Sequence, residues 1–143
     1  MTQLAGHLIV DCLIAQGVQR AYGVPGESYL AVLDGFHAYR DRLRFITCRQ
    51  EGGAAFMAEA EGKLTGRPGV LFVTRGPGAT NASIGIHTAF QDSTPMVVFV
   101  GDVARAVVSC LQDTRTIGLT YELGGPNVHS LKALVQLAGR AAG

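Results

Sequence analysis

The stretch CRQEGGAAFMAEAEGKLTG, residues 48–66, sets one acid, Glu51, where a short apolar strand (RFITC, 44–48) runs into a helix. A carboxylate there has two uses. It complements the positive end of the helix dipole, worth about 0.3–1 kcal/mol, or it meets a ligand at the strand edge. Gly52, Gly53, Ala54 and Ala55 follow at once. Glycine in a helix costs up to about 1 kcal/mol relative to alanine, and a capping acid does not need it. A flat ligand, or another backbone packed against the acid, does. Three further turns are rich in the same small residues: GVPGE (23–27), TRGPGATN (74–81) and VGDVA (100–104). Glycine and proline are ordinary turn residues, so each turn alone has a purely structural reading. Four of them at one edge of a sheet, one carrying an acid, point to a ligand.

The elements that must position these turns follow from hydrophobic periodicity. Leu4, Leu8, Cys12 and Leu13 predict a helix over 2–16. Strands are predicted at 21–24, 44–48, 69–74, 95–100 and 119–123. Helices are predicted at 27–40, 51–65, 79–91, 102–112 and 130–142, with Gly66 and Pro68 stopping the second of these and Ser130 capping the last. GVLFVT and PMVVFV are apolar throughout, the pattern of strands buried on both faces. Strands alternating with helices predict an α/β fold over residues 1–143. It is a single three-layer, doubly wound domain with a mainly parallel sheet of about five strands and helices on both faces. Ligands of such sheets sit beyond the carboxyl ends of the strands, where all four turns fall.

Composition narrows the function. The chain has 143 residues, a net charge of +1 and only 16% charged residues, which gives no footprint for nucleic acid or an anionic membrane. No apolar run reaches the roughly 18 residues that span a bilayer. Asp11 interrupts the first apolar segment, which lacks a basic leader. Cys12, Cys48 and Cys110 are far apart and form no metal-ligand spacing, so buried reduced thiols in a cytoplasmic protein are expected. His7, His37, His87 and His129 have no acid or thiol at a telling spacing.

GVPGE, RQEGGAAFMAEA, TRGPGATN and AFQDSTPMVVFVG, in this order, resemble the N-terminal pyrimidine-binding domain of thiamine diphosphate enzymes, in particular acetolactate synthase and its homologues. The resemblance covers about residues 3–104. It implies that Glu51 is catalytic: its counterpart hydrogen-bonds N1′ of the cofactor's aminopyrimidine and exchanges a proton there, in enzymes acting on 2-keto acids. It further implies that Pro25, Gly26, Gly76, Pro77 and Asn81 line the pyrimidine site, and that Phe90 and Gln91 face the substrate side. The diphosphate and Mg²⁺ are held in the family by a separate domain carrying a GDG motif and paired asparagines. GDV at 101–103 is not that motif. The chain alone is therefore expected to bind thiamine diphosphate weakly or not at all, to bind no Mg²⁺, and to lack activity by itself. The alternative is one part of a 2-keto acid decarboxylase or acetolactate synthase-like enzyme whose diphosphate-binding domain is on another chain. Homo-oligomerisation through exposed apolar surface is also expected.

The last segment, about residues 99–143, resembles the end of extended short-chain dehydrogenase/epimerase-like NAD(P)-binding proteins. VGDVA, TYELGGP and SLKALVQLAGRA carry that resemblance. No GxGxxG turn follows a strand, and Tyr121 is followed four residues on by Gly125 instead of lysine, so no NAD site is expected. Together the two resemblances predict a chimera joined near VFVGDV.

Overall fold

The structure is a computed structural model, and it describes residues 5–101. Helix α1 (Ala5–Ala15) leads to β1 (Arg20–Gly23). A 3₁₀ turn (Glu27–Tyr29) opens into α2 (Leu30–Ala38), followed by β2 (Arg44–Thr47) and α3 (Glu51–Thr65). Then come β3 (Gly69–Val73), α4 (Pro77–Gln91) and β4 (Met96–Val100). The strands form one sheet in the order β2-β1-β3-β4, and every neighbouring pair is parallel. From β1 the chain steps outward to β2; from β3 it steps the other way to β4. The direction of winding therefore changes between β1 and β3, which is where doubly wound sheets open a crevice.

β3 shows how one strand serves two layers. All five of its residues are buried. Val70 and Phe72 face Ile9, Val10, Val32 and Phe36 of α1 and α2. Leu71 and Val73 face Ala54, Ala55, Ala58 and Ala82 of α3 and α4. Successive strand residues point to opposite faces, so helices must cover both. The three-layer α/β architecture follows.

Several expectations shift. PMVVFV reads as fully buried, but β4 is only half-buried and Val97 is 39% exposed. Among the described residues β4 has a single neighbour, β3. Cys12 is exposed and Cys48 half-buried, and both are free thiols. The predicted helices at 102–112 and 130–142, the strand at 119–123, Cys110 and His129 lie outside the described residues, so four of the expected five strands are described.

Candidate functional site

The start of α3 assigns the cap to a neighbour of the acid. Gln50 is the N-cap, and its side-chain oxygen accepts from the Gly53 N–H at 2.9 Å. Glu51 is left to look across the sheet edge. Its carboxylate is half-buried, and Oε2 accepts a hydrogen bond from Nδ2 of Asn81 at 3.1 Å. Asn81 lies in the early part of α4, which begins two residues before the predicted start. Gly76 sits at φ 61°, ψ −114°, a conformation that side chains rarely adopt, and Pro77 fills the first helical position, where no N–H is required.

Missing side chains let α4 approach. A Cβ on Gly52 would lie 3.2 Å from the Asn81 carbonyl oxygen. One on Gly78 would lie 2.4 Å from Thr74 Oγ1 and 3.4 Å from Glu51 Oε1. The small residues after Glu51 are thus explained in part by a second backbone. Gly53 differs: it is exposed, and a Cβ there would meet nothing within 4 Å.

The turn after β1 closes from the other side. A Cβ on Gly26 would fall 2.0 Å from Thr74 Cγ2, so glycine lets this turn rest on the end of β3 without displacing the Thr74 methyl. Tyr29 fixes the turn from beneath. Its ring is buried, and its hydroxyl donates to the Val24 carbonyl. Pro25 stands exposed between them. Between the β1 and β3 turns lies an open cleft of about 570 Å³, lined by Gly26, Glu27, Ser28, Thr74, Arg75, Gly76 and Pro77. Arg75 Nη2 and Glu27 Oε1 pair at 3.2 Å in its lining. Ser28 is 3% exposed, and its hydroxyl has no hydrogen-bond partner among the described residues.

Burial pushes the Tyr29 phenol above its ordinary value of 10.0, and the negative charge of Glu51 adds to the shift. Below about pH 10 both folded and unfolded chains hold that proton; above it the unfolded chain loses its proton first. Stability is therefore expected to fall as pH rises past about 10. Tyr22, raised chiefly by burial, adds to the same slope. Urea midpoints followed from about pH 8 to about pH 11 should show a shallower alkaline decline in Tyr29→Phe than in the parent chain.

The structure thus brings Gly26, Glu51, Gly76, Pro77 and Asn81 to one edge, with Pro25 beside them. It does not bring Phe90 and Gln91 there. They end α4, about 20 Å along its axis from Pro77 at roughly 1.5 Å per residue. Both are exposed, Phe90 at 79%. His87 is exposed on the same helix, whereas His7 Nε2 lies 2.8 Å from Asp34 Oδ2 and ties α1 to α2. Sequence reasoning missed Ser28, Tyr29, Thr74 and Gly78. Only the placement of Thr74 and Gly78 inside TRGPGATN signalled any of them. Among the described residues no three His, Cys, Asp or Glu side chains group to hold a metal. No helix there is long and apolar enough to cross a membrane.

A parallel doubly wound sheet with a half-buried acid and glycine-built turns at its carboxyl edge defines a small-molecule-binding α/β domain. The chain belongs to the family described as thiamine pyrophosphate enzyme, N-terminal TPP binding domain, whose profile matches residues 4–130. It is 48% identical over 101 residues to acetolactate synthase of Bacillus subtilis, covering 70% of this chain and 17% of that one. It is 38% identical over 123 residues to the acetolactate synthase isozyme 3 large subunit of Escherichia coli, covering 84% and 21%. Pyruvate oxidase of Lactiplantibacillus plantarum is 40% identical over 98 residues, covering 68% and 16%. The chain therefore spans about a fifth of the length of such relatives. The family match runs past residue 104, where the first resemblance ends, and overlaps much of the dehydrogenase-like segment.

Proposed function

We propose that this chain forms the pyrimidine-binding half of a thiamine diphosphate site and is not a catalyst alone. The observation that carries this reading is Glu51 at the carboxyl edge, with Oε2 bonded to Asn81 and Oε1 on the side of Gly78 and Thr74. These residues fit an aminopyrimidine: an acid able to share a proton, set among glycines (Gly52, Gly76 and Gly78) that bring no side chain to it. Glu51, with Asn81 bonded to its other oxygen, would hold the ring's polar edge, with Gly26, Gly76 and Pro77 forming the walls. Bound thiamine diphosphate supplies a nucleophilic carbon and an electron sink for 2-keto acids. The protein's share is to orient the ring, exclude water from it and hold a proton at Glu51.

The diphosphate and Mg²⁺ are proposed to be held by another domain, so cofactor binding by this chain alone is weak. The whole enzyme on this reading acts on 2-keto acids, as an acetolactate synthase-like assembly; the printed names of the relatives support that class. A second copy is the proposed partner, because Phe56, Met57, Ile84 and Phe90 of α3 and α4 are exposed. The free thiols of Cys12 and Cys48 support a reducing compartment, the cytoplasm. The dehydrogenase-like origin of residues 99–143, without an NAD site, stays a proposal about the tail and rests on its sequence alone.

Calorimetric titration of the chain with thiamine diphosphate and Mg²⁺, repeated on Glu51→Gln, tests the reading. Saturable binding in the parent, at least about tenfold weaker in the variant, is expected. Equal affinity in both, or no heat from a cooperatively melting parent, removes it.

A further inference from the structure

Asn81 has two possible ways to act on a ligand at this edge: by touching it, or through Glu51. The amide orientation favours the second. Turned the other way, Asn81 would set its carbonyl oxygen against a carboxylate oxygen, so Nδ2 is the atom 3.1 Å from Oε2. The backbone holds this arrangement as well. The Asn81 carbonyl oxygen rests where a Cβ of Gly52 would come within 3.2 Å, so the start of α4 is seated on the first turn of α3. The two oxygens of Glu51 are thereby made unlike. Oε2 is committed to the amide. Oε1 lies on the Gly78 side, 3.4 Å from where a Cβ of Gly78 would stand, with Thr74 Oγ1 beside that position.

We propose that Asn81 is a positioning residue: it fixes the rotation of the Glu51 carboxylate, so that Oε1 alone meets the ligand. In solution a carboxylate turns freely about its last bond, and its two oxygens are equivalent. A donor on one oxygen removes that freedom before the ligand arrives, and preorganisation of this kind shows as affinity. A charge-assisted hydrogen bond is also among the stronger polar contacts. The affinity arm of the test rests on the reading of Glu51 as the cofactor's acid; the coupling of Asn81 to Glu51 does not.

The test is a double-mutant cycle with Asn81→Ala and Glu51→Ala, read in two ways. In titrations with thiamine diphosphate and Mg²⁺, Asn81→Ala is expected to weaken binding about tenfold when Glu51 is present, and to change little when it is absent. An equal loss in both backgrounds would mean that Asn81 touches the ligand directly, and overturns the proposal. In ligand-free melting, the shift caused by Asn81→Ala is expected to be larger with Glu51 than without it. If no form binds thiamine diphosphate, the cofactor reading fails. The melting cycle then decides: coupled shifts support the positioning bond, and additive shifts overturn it.

Discussion

Phe72→Ala is expected to destabilise the domain by about 3–5 kcal/mol, the usual cost of deleting a fully buried aromatic ring. Phe72 is completely buried in β3. Its ring stacks on Phe99 at 4.5 Å, meets Phe36 edge-on at 5.2 Å and lies 5.8 Å from Tyr29. These partners belong to β4, α2 and the turn before α2, so one ring joins three elements. The cavity is hard to collapse, because the backbone around it is already at contact distance. The Phe72 carbonyl lies where a Cβ on Gly23 would come within 2.3 Å, and β1 and β4 flank β3 in register. Domains of this size hold only about 5–15 kcal/mol in all, so the loss is a large part of the total. The site should feel it too, since Tyr29 carries the hydroxyl that fastens the Val24 carbonyl and hence the turn holding Gly26. Urea unfolding should show a midpoint far below the parent's with an unchanged slope. A loss under about 1 kcal/mol would mean that the aromatic cluster does not hold the core together.

Legibility in the sequence followed the range of the interaction. The alternation of strands and helices is local, because apolar spacing is set by the period of each element. GVLFVT therefore marked β3, and Gly66 marked the end of α3, where it takes the left-handed cap at φ 67°. Boundaries that depend on a tertiary contact moved. The segment 27–40 reads as one helix, but Tyr29 leaves helical geometry at φ −138°, ψ 34° to bury its ring, and α2 starts only at Leu30. At the site, Glu51 was legible because its position at a strand–helix junction is a local fact. Its bond to Asn81 was not, although the family resemblance places Asn81 in the same site. Asn81 lies thirty residues away, and no period links the two. The same holds for Thr74, whose methyl group only gains meaning when Gly26 is folded against it. The family resemblance puts Phe90 and Gln91 on the substrate side. The length of α4 sets them at its far end.

Gly85→Ala is expected to destabilise the domain, against the propensity of its own helix. In a free helix the change gains about 1 kcal/mol. In the folded chain the new Cβ would lie 2.5 Å from the Ala55 Cβ and 2.9 Å from both the Ala55 carbonyl carbon and the Phe56 nitrogen. Two of those atoms are backbone, so no side chain can swing aside. The helices must part, and overpacking of this kind costs about 1–3 kcal/mol. The steric term outweighs the propensity term. The position also bears on the acid. Ala55 is four residues after Glu51, and Gly85 four after Asn81, so each pair is about one helical turn apart. The close contact lies one turn below the 3.1 Å hydrogen bond, on the same pair of helices. Forcing α3 and α4 apart at Gly85 therefore stretches the bond between Asn81 and Glu51. Melting should fall, and thiamine diphosphate affinity should fall with it on the proposed reading. Pairing Gly85→Ala with Ala55→Gly gives the control. Removing the opposing Cβ relieves its clash and should recover part of the melting loss, while the clash with the backbone of Ala55 and Phe56 remains. A Gly85→Ala variant that melts above the parent would show that the helices carry slack, and the small residues after Glu51 would then need another reason.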